Sequence, residues 1–307
     1  MKKKKVLITG GSGLLGINWA LAIKDNYDVV LGLHSKEVIL EGVETIKIDI
    51  ENIEVFRKEI DKMSPDIIVH TAGMTNVEQC ENDFDMAEYI NCTLSKNIAT
   101  ICNEKNIKLI HISTDHLYDG REKNLTENDF TCPVNVYGKT KLEGERVVFE
   151  ECPDSLIVRT NFFGWGGPYK QSFSDWIVSN LRAGNKIKLF DDVFYTPILI
   201  DKLACVSMKF IAGNVKGIVN IVGDERISKY DFCSKLAKEF ELPEDLIERA
   251  KIASSKCLTL RPLDMSLSNQ YAQSLHGGKI GNVNEYLTEL KAQENNGREK
   301  IVRNAFR

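Results

Sequence analysis

A short apolar run, Lys5-Val6-Leu7-Ile8-Thr9, passes directly into Gly10-Gly11-Ser12-Gly13-Leu14-Leu15-Gly16, and Ile17 to Lys24 then takes up helical spacing. Strand, glycine-rich turn and helix in that order leave few folds open. The unbroken apolar run reads as a strand buried on both faces, which is the habit of parallel sheets. The glycines permit a tight turn and let the backbone approach a pyrophosphate, which the unpaired N–H groups of the helix N-terminus attract. A bare glycine pattern is also what a tight turn binding nothing looks like, but the position after a strand and before a helix points to a dinucleotide. Gly10, Ser12, Gly13, Leu14, Leu15 and Gly16 are therefore candidate cofactor residues.

The same strand-then-helix rhythm continues. A second strand, Asp28 to Leu33, ends in His34-Ser35-Lys36. Sites that select NAD place an acid here to accept from the ribose 2′-hydroxyl. A hydroxyl and a cation instead suit a 2′-phosphate, so NADP(H) is the preferred cofactor and NAD(H) the alternative; a solvated loop would have the same composition. A third strand, Glu44 to Ile48, is followed by Asp49-Ile50, where the acid either meets an adenine amino group or caps a helix over Asn52 to Lys62. The fourth strand, Asp66 to His70, leads into Thr71-Ala72-Gly73-Met74-Thr75, whose small residues let the backbone lie close to a ligand. A long helix from Phe84 to Glu104 carries Asn91, a further cofactor candidate, and a fifth strand, Lys108 to Ser113, ends in Thr114-Asp115-His116. Five such units by residue 150 predict an α/β fold, a doubly wound parallel (Rossmann) sheet whose ligands lie past the carboxyl ends of the strands.

Past the fifth strand, Pro133 suits a helix start, and Tyr137-Gly138-Lys139-Thr140-Lys141 sets Tyr137 and Lys141 one turn apart on one helical face. An ammonium beside a phenol favours the phenolate and is expected to lower the tyrosine pKa, so that the hydroxyl can trade a proton. A chain with nine tyrosines and many lysines contains roughly one such pair by accident. Following a cofactor loop and a strand-end hydroxyl, Thr114, the pair is much rarer. Tyr137, Lys141 and Thr114 are the candidate catalytic set, with Tyr137 and Lys141 also facing the cofactor.

These motifs resemble the extended short-chain dehydrogenase/reductases and, more narrowly, the dTDP-4-dehydrorhamnose reductase family. The resemblance rests on Gly10 to Gly16, Thr71 to Glu78, Ile112 to Gly120 and Pro133 to Glu145, with further matches at Val158 to Gly164, Tyr195-Thr196-Pro197 and Arg261 to Asp264. It implies that Tyr137 donates a proton to a sugar ketone while hydride leaves the nicotinamide. Lys141 would hold the nicotinamide ribose, Thr114 the carbonyl oxygen, and Asp115 would touch substrate. His116 stands where these reductases usually carry tyrosine. Sugar-nucleotide 4,6-dehydratases carry Thr-Asp-Glu here, so His116 removes the acid that elimination of water needs, and a reduction fits better. Two alternatives share the framework: a non-catalytic, NADP-binding regulatory subunit resembling that of methionine adenosyltransferase, and a sugar-nucleotide epimerase.

After a sixth strand, Ser155 to Thr160, the alternation degrades into a mixed region. The expected division is a Rossmann domain over 1–157, an interleaved, smaller mixed α/β substrate lobe over 158–290, and a polar tail over 291–307 that frays from a surface helix. Phe162, Trp165, Lys170, Arg182 and Arg261 are candidate contacts to a nucleotide sugar, by aromatic stacking or by an arginine fork on the diphosphate. Phe162 and Arg261 lead. Lys2 to Lys5 followed by Val6-Leu7-Ile8 is too short an apolar run for a signal peptide, and no segment nears the ~20 apolar residues of a membrane span. With a net charge of −4, nucleic acid and anionic membranes are not expected partners. The eight cysteines lack metal spacing and are expected to be buried thiols in a reducing cytoplasm. No metal site is expected. The expected partners are a nucleotide-sugar substrate and a second copy in a homodimer, the expected role NADPH-dependent reduction of a 4-keto-6-deoxy sugar for polysaccharide synthesis.

Overall fold

The computed structural model describes residues 2–254 and 259–306. Seven parallel strands form its central sheet: β1 (Lys5–Thr9), β2 (Asp28–Leu33), β3 (Glu44–Lys47), β4 (Ile67–His70), β5 (Lys108–Ile112), β6 (Leu156–Arg159) and the strand Gly217–Asn220. Their spatial order is β3-β2-β1-β4-β5-β6, with Gly217–Asn220 on the outer edge of β6. The order reverses at β1, which opens a crevice beyond the carboxyl ends of β1 and β4. The doubly wound sheet expected from the strand–helix rhythm is the fold of this chain.

Alternation along the strands feeds two cores. Val6, Ile8, Val29 and Leu31 pack on one face, Leu7, Val30 and Ile68 on the other. Both faces are dry because helices cover them: α1 (Leu14–Ile23) on the first, α2 (Ile53–Met63) on the second. The long helix expected over Phe84 to Glu104 is preceded by α3 (Val77–Asn82) and divides into α4 (Phe84–Glu88), a π-helical turn at Tyr89–Thr93, and α5 (Leu94–Glu104). One extra residue in a helical turn re-aims its side chains, a device common at functional sites, and Asn91 in that turn is fully buried. The cap of α2 is Asn52, whose Oδ1 accepts from Glu54 and Val55 N–H at 3.1 and 3.2 Å. Asp49 closes the turn before it, accepting from Glu51 and Asn52 N–H.

α6 (Val136–Glu151) and α5 fill the second face beside β4 and β5. The remaining helices are α7 (Phe173–Arg182), α8 (Ile200–Ala212), α9 (Lys229–Glu239), α10 (Gln270–His276), α11 (Val283–Asn295) and α12 (Arg298–Asn304). Short strand pairs join them: Phe162–Phe163 with Ile198–Leu199, Phe194–Tyr195 with Ile227–Ser228, and Ile187–Phe190 with Ile247–Ala250. α8 packs on α1, and Gly217–Asn220 completes the sheet, so the chain returns to the first layer long after residue 157. The tail expected to fray does not: it forms α12, Ala305 O accepts from Ile39 N–H at 2.7 Å, and the Phe306 ring packs on Tyr169. Cys132 and Cys205 are exposed, against the expectation of buried thiols; Cys257 lies outside the described residues.

Candidate functional site

Asn135 starts α6, its Oδ1 accepting from Gly138 N–H at 2.8 Å. Two glycines then set how closely this helix lies. A Cβ on Gly138 would collide with the carbonyl oxygen of His116, and one on Gly144 with that of Asn91. Bare backbone at both positions lets α6 press against the turn after β5 and against the π-helical turn. The Thr114 hydroxyl, the Tyr137 phenol and the Lys141 ammonium thereby share one cavity of about 360 Å³. Its other walls are Gly13-Leu14-Leu15, Thr71-Ala72-Gly73 with Thr75, and Lys170. Thr160, Asn161 and Phe162 close the end beyond β6.

The charges in this cavity are few and mostly buried. Asp115 is 1% exposed; its Oδ2 accepts from Asn161 Nδ2 at 2.5 Å and its Oδ1 from the Thr114 hydroxyl at 3.3 Å. The His116 ring meets Tyr137 edge-on with centroids 5.4 Å apart, and burial lowers its pKa, so it is neutral near pH 7. The expectation that Lys141 acidifies Tyr137 does not hold in this structure. Burial pushes the phenol well above its ordinary value, Asp115 adds to the rise, and the Thr114 hydroxyl only partly offsets them. The Lys141 ammonium is turned onto the Ile112 carbonyl at 2.7 Å, and burial pulls its pKa down to about 8. Tyr137 is accordingly a fully protonated phenol at neutral pH, the form that can give a proton.

Behind the cavity a layer of hydrogen bonds fixes these groups. Asn91 Oδ1 accepts from Met74 N–H at 2.8 Å, and its Nδ2 donates to Met74 O and to Thr140 Oγ1, both at 3.0 Å. Thr140 in turn donates to Tyr137 O at 3.1 Å. Arg159 on β6 grips both oxygens of Glu145 on α6 at 2.7–3.2 Å and donates to the Tyr118 hydroxyl at 2.9 Å. Loop, helix and strand end are thus tied together where the cavity needs them.

The residues present fit a dinucleotide. α1 begins at Gly13 with no side-chain cap and no acid in its first turn, so unpaired N–H groups face the cavity, the arrangement that receives phosphate. A second cavity is lined by residues 33–39 and 45–47, bringing His34, Ser35 and Lys36 together with Lys47. There the Lys36 ammonium lies 3.9 Å over the Tyr169 ring, and His34 Nε2 is 3.5 Å from Glu51.

Several sequence candidates sit elsewhere. Gly10 (φ +71°) and Gly16 pack backbone on backbone, Gly10 against Ala72 and Gly16 against Gly10 O, and with Ser12 they lie outside the cavity wall. Asp49 and Ile50 border neither cavity. Asn91 is 0% exposed and braces the Met74 loop rather than lining the space. Trp165 is entirely core, and Arg182 is held on the surface by Glu294. Arg261 donates to both oxygens of Glu78 at 2.7 Å, beside the site but engaged. Sequence reasoning missed Val77, Ile112, Ser113, Thr160 and Asn161 as walls; the last four could have been flagged by their places at the ends of β5 and β6, and Val77 only by opening α3. Among the described residues no group of three His, Cys, Asp or Glu is placed to hold a metal ion, and no helix is long and apolar enough to cross a membrane.

Comparison with known proteins covers most of the chain. The family model described as RmlD substrate binding domain matches residues 4–295. The "Probable low-salt glycan biosynthesis reductase Agl14" of Haloferax volcanii is 28% identical over 93% of this chain and 96% of its own length. The dTDP-4-dehydrorhamnose reductase of Aggregatibacter actinomycetemcomitans is 29% identical over 94% and 98%. A crystal structure described as a hypothetical dTDP-4-dehydrorhamnose reductase from Sulfolobus tokodaii superposes with a TM-score of 0.78 at 30% identity, covering 88% of this chain and 94% of that one. The methionine adenosyltransferase 2 subunit beta of Xenopus laevis is also similar, 26% identical over 78% of this chain and 73% of its own.

Proposed function

The chain belongs to the RmlD substrate binding domain family, and from that premise we propose that it is an NAD(P)-dependent oxidoreductase that reduces the 4-keto group of a nucleotide-linked 6-deoxy sugar. The observation that carries this reading is the convergence of Thr114, Tyr137 and Lys141 in the cavity onto which the uncapped N-terminus of α1 opens. A reduced nicotinamide dinucleotide supplies the hydride when bound. Tyr137 gives its proton to the ketone oxygen, and the Thr114 hydroxyl donates a second hydrogen bond to that oxygen. Lys141, one turn along α6 and anchored on Ile112 O at 2.7 Å, has two further N–H donors with which to hold the nicotinamide ribose. Asp115, held by Asn161, and Phe162 orient the sugar. His34, Ser35 and Lys36 favour a 2′-phosphate and hence NADPH.

The test is NADPH oxidation by purified protein given dTDP-4-dehydrorhamnose and a panel of related nucleotide ketosugars. Tight cofactor binding without turnover of any of them refutes the reading, and epimerised product without net NADPH loss points to an epimerase. The similarity to the methionine adenosyltransferase subunit carries a second reading, a binding module that works through a partner enzyme. Co-purification of a stoichiometric synthetase, with its regulation unaffected by Tyr137→Phe, favours that one.

A further inference from the structure

Among the described residues, one cation near the cavity makes no ion pair and no side-chain hydrogen bond. Lys229 is the first residue of α9, where the helix dipole disfavours positive charge. Its ammonium lies 3.3 Å from the centroid of the Tyr195 ring and 4.8 Å from that of Phe173. Among the described residues, ring faces are its only side-chain partners. The other cations here are engaged: Lys141 on Ile112 O, Lys170 on the Thr75 hydroxyl, Arg261 on Glu78.

Its position is set by tertiary pairing. The strand pair Phe194–Tyr195 with Ile227–Ser228, and the bond from Lys229 N–H to Val193 O at 3.0 Å, set the start of α9 against Tyr195; three residues on, Ile198 N–H donates to Asn161 O at 3.0 Å and Ile198 pairs with Phe162, both in the cavity wall. There the ammonium is within electrostatic reach of Asp115 and His116, both of which line that space. Burial pulls its pKa down to about 8, with Asp115 opposing, so at neutral pH it is still largely charged. Ring faces attract the ammonium but leave its N–H groups without full hydrogen-bond acceptors, so part of the cost of taking it out of water is uncompensated. Residues that break local rules in this way mark functional positions.

We propose that Lys229 binds substrate by donating to a non-bridging oxygen of the diphosphate in a nucleotide-linked ligand. This rests on the reading that the substrate is nucleotide-linked. The flat faces of Tyr195 and Phe173 hold the ammonium in place while its free N–H groups reach the anion, and the side chain has no part in cofactor binding.

The experiment measures binding of thymidine, dTMP, dTDP and UDP to the NADPH-saturated protein by calorimetry, for wild type, Lys229→Met and Lys229→Arg. The methionine variant is expected to lose about 10- to 100-fold in affinity for dTDP and UDP, to bind thymidine as wild type does, and to keep its NADPH affinity; the arginine variant restores most of the loss. Unchanged dTDP binding in Lys229→Met overturns the proposal, as does an equal loss for thymidine, which means that Lys229 only packs. If Lys229→Met fails to fold, Lys229→Gln is read in its place. Wild-type protein that binds NADPH but no nucleoside diphosphate removes the nucleotide-linked reading, and the proposal falls with it; intact wild-type dTDP binding with no effect of Lys229 overturns the proposal alone.

Discussion

Replacing Asn91 should uncouple the Met74 loop from the catalytic helix. The side chain is 0% exposed and makes three hydrogen bonds, two to the backbone of Met74 and one to Thr140 Oγ1. Asn91→Ala leaves Met74 N–H and C=O without those partners, while Thr140 keeps its bond to Tyr137 O. An unsatisfied, partly buried backbone group costs about 1–3 kcal/mol; Met74 C=O keeps the weak Cys80 thiol donor at 3.5 Å and adds only about 1 kcal/mol, so the variant should lose about 2–4 kcal/mol of a total stability of ~5–15 kcal/mol. Thr71-Ala72-Gly73 line the cavity immediately before Met74, so NADPH affinity should fall by about tenfold for each 1.4 kcal/mol spent re-ordering the loop. Asn91→Asp discriminates further. It keeps an acceptor for Met74 N–H but sets a carboxylate against Met74 O, and its loss should exceed that of alanine and grow with pH as the buried acid ionises. Urea unfolding with and without NADPH, and cofactor titration by fluorescence, measure both effects. An Asn91→Ala variant within about 1 kcal/mol of wild type and with unchanged cofactor affinity refutes the bracing role.

Tyr137→Phe removes the proton donor and should lower kcat by about 10²- to 10⁴-fold with cofactor binding intact; residual turnover near the wild-type level means another group gives the proton. Lys141 and Lys229 both have folded pKa values of about 8, below their ordinary 10.5. Both are charged below that value and lose charge as pH rises through it, so kcat/KM should fall on its alkaline side near pH 8, less steeply in Lys229→Met. Because the unfolded chain holds these protons up to 10.5, stability should rise between about pH 8 and 10.5; a flat profile in urea unfolding contradicts the burial of both amines. Arg159→Met strands the Glu145 carboxylate at 3% exposure and should cost about 3–5 kcal/mol, read as a lower urea midpoint. Gly138→Ala forces a methyl into the His116 carbonyl and should reduce turnover more than stability, because α6 can shift outward and carry Tyr137 with it; unchanged kcat shows that the close approach is dispensable.

The strand–turn–helix start, the five β-then-α units and the Tyr137–Lys141 spacing are local patterns, and local patterns survive into the fold because a parallel strand must be apolar throughout and a helix must repeat near every fourth residue. Of the residues they single out, Gly13 to Leu15, Thr71 to Gly73, Thr75, Thr114 and Tyr137 line one cavity. Other readings failed where a distant neighbour intervened. The spacing of Lys141 was right, but its ammonium found the carbonyl of Ile112, 29 residues back, and burial rather than the amine governs the phenol. Asn91 was noticed, yet its role depends on a π-helical turn that its flanking residues do not announce. The tail reads as polar but is held down by Phe306 against Tyr169, which no periodicity reports.

From the amino-acid order alone followed the sheet, the dinucleotide loop and the phenol–amine pair, since each is written within a few consecutive residues. Tertiary structure decided which charges are free and which are engaged: Arg261 on Glu78, Lys141 on a main-chain oxygen, and Lys229 on two aromatic faces beside Asp115, more than a hundred residues away in the chain. The physical reason is that burial and ion pairing depend on what the folded chain brings within a few ångströms, and sequence spacing says nothing of that beyond a helical turn.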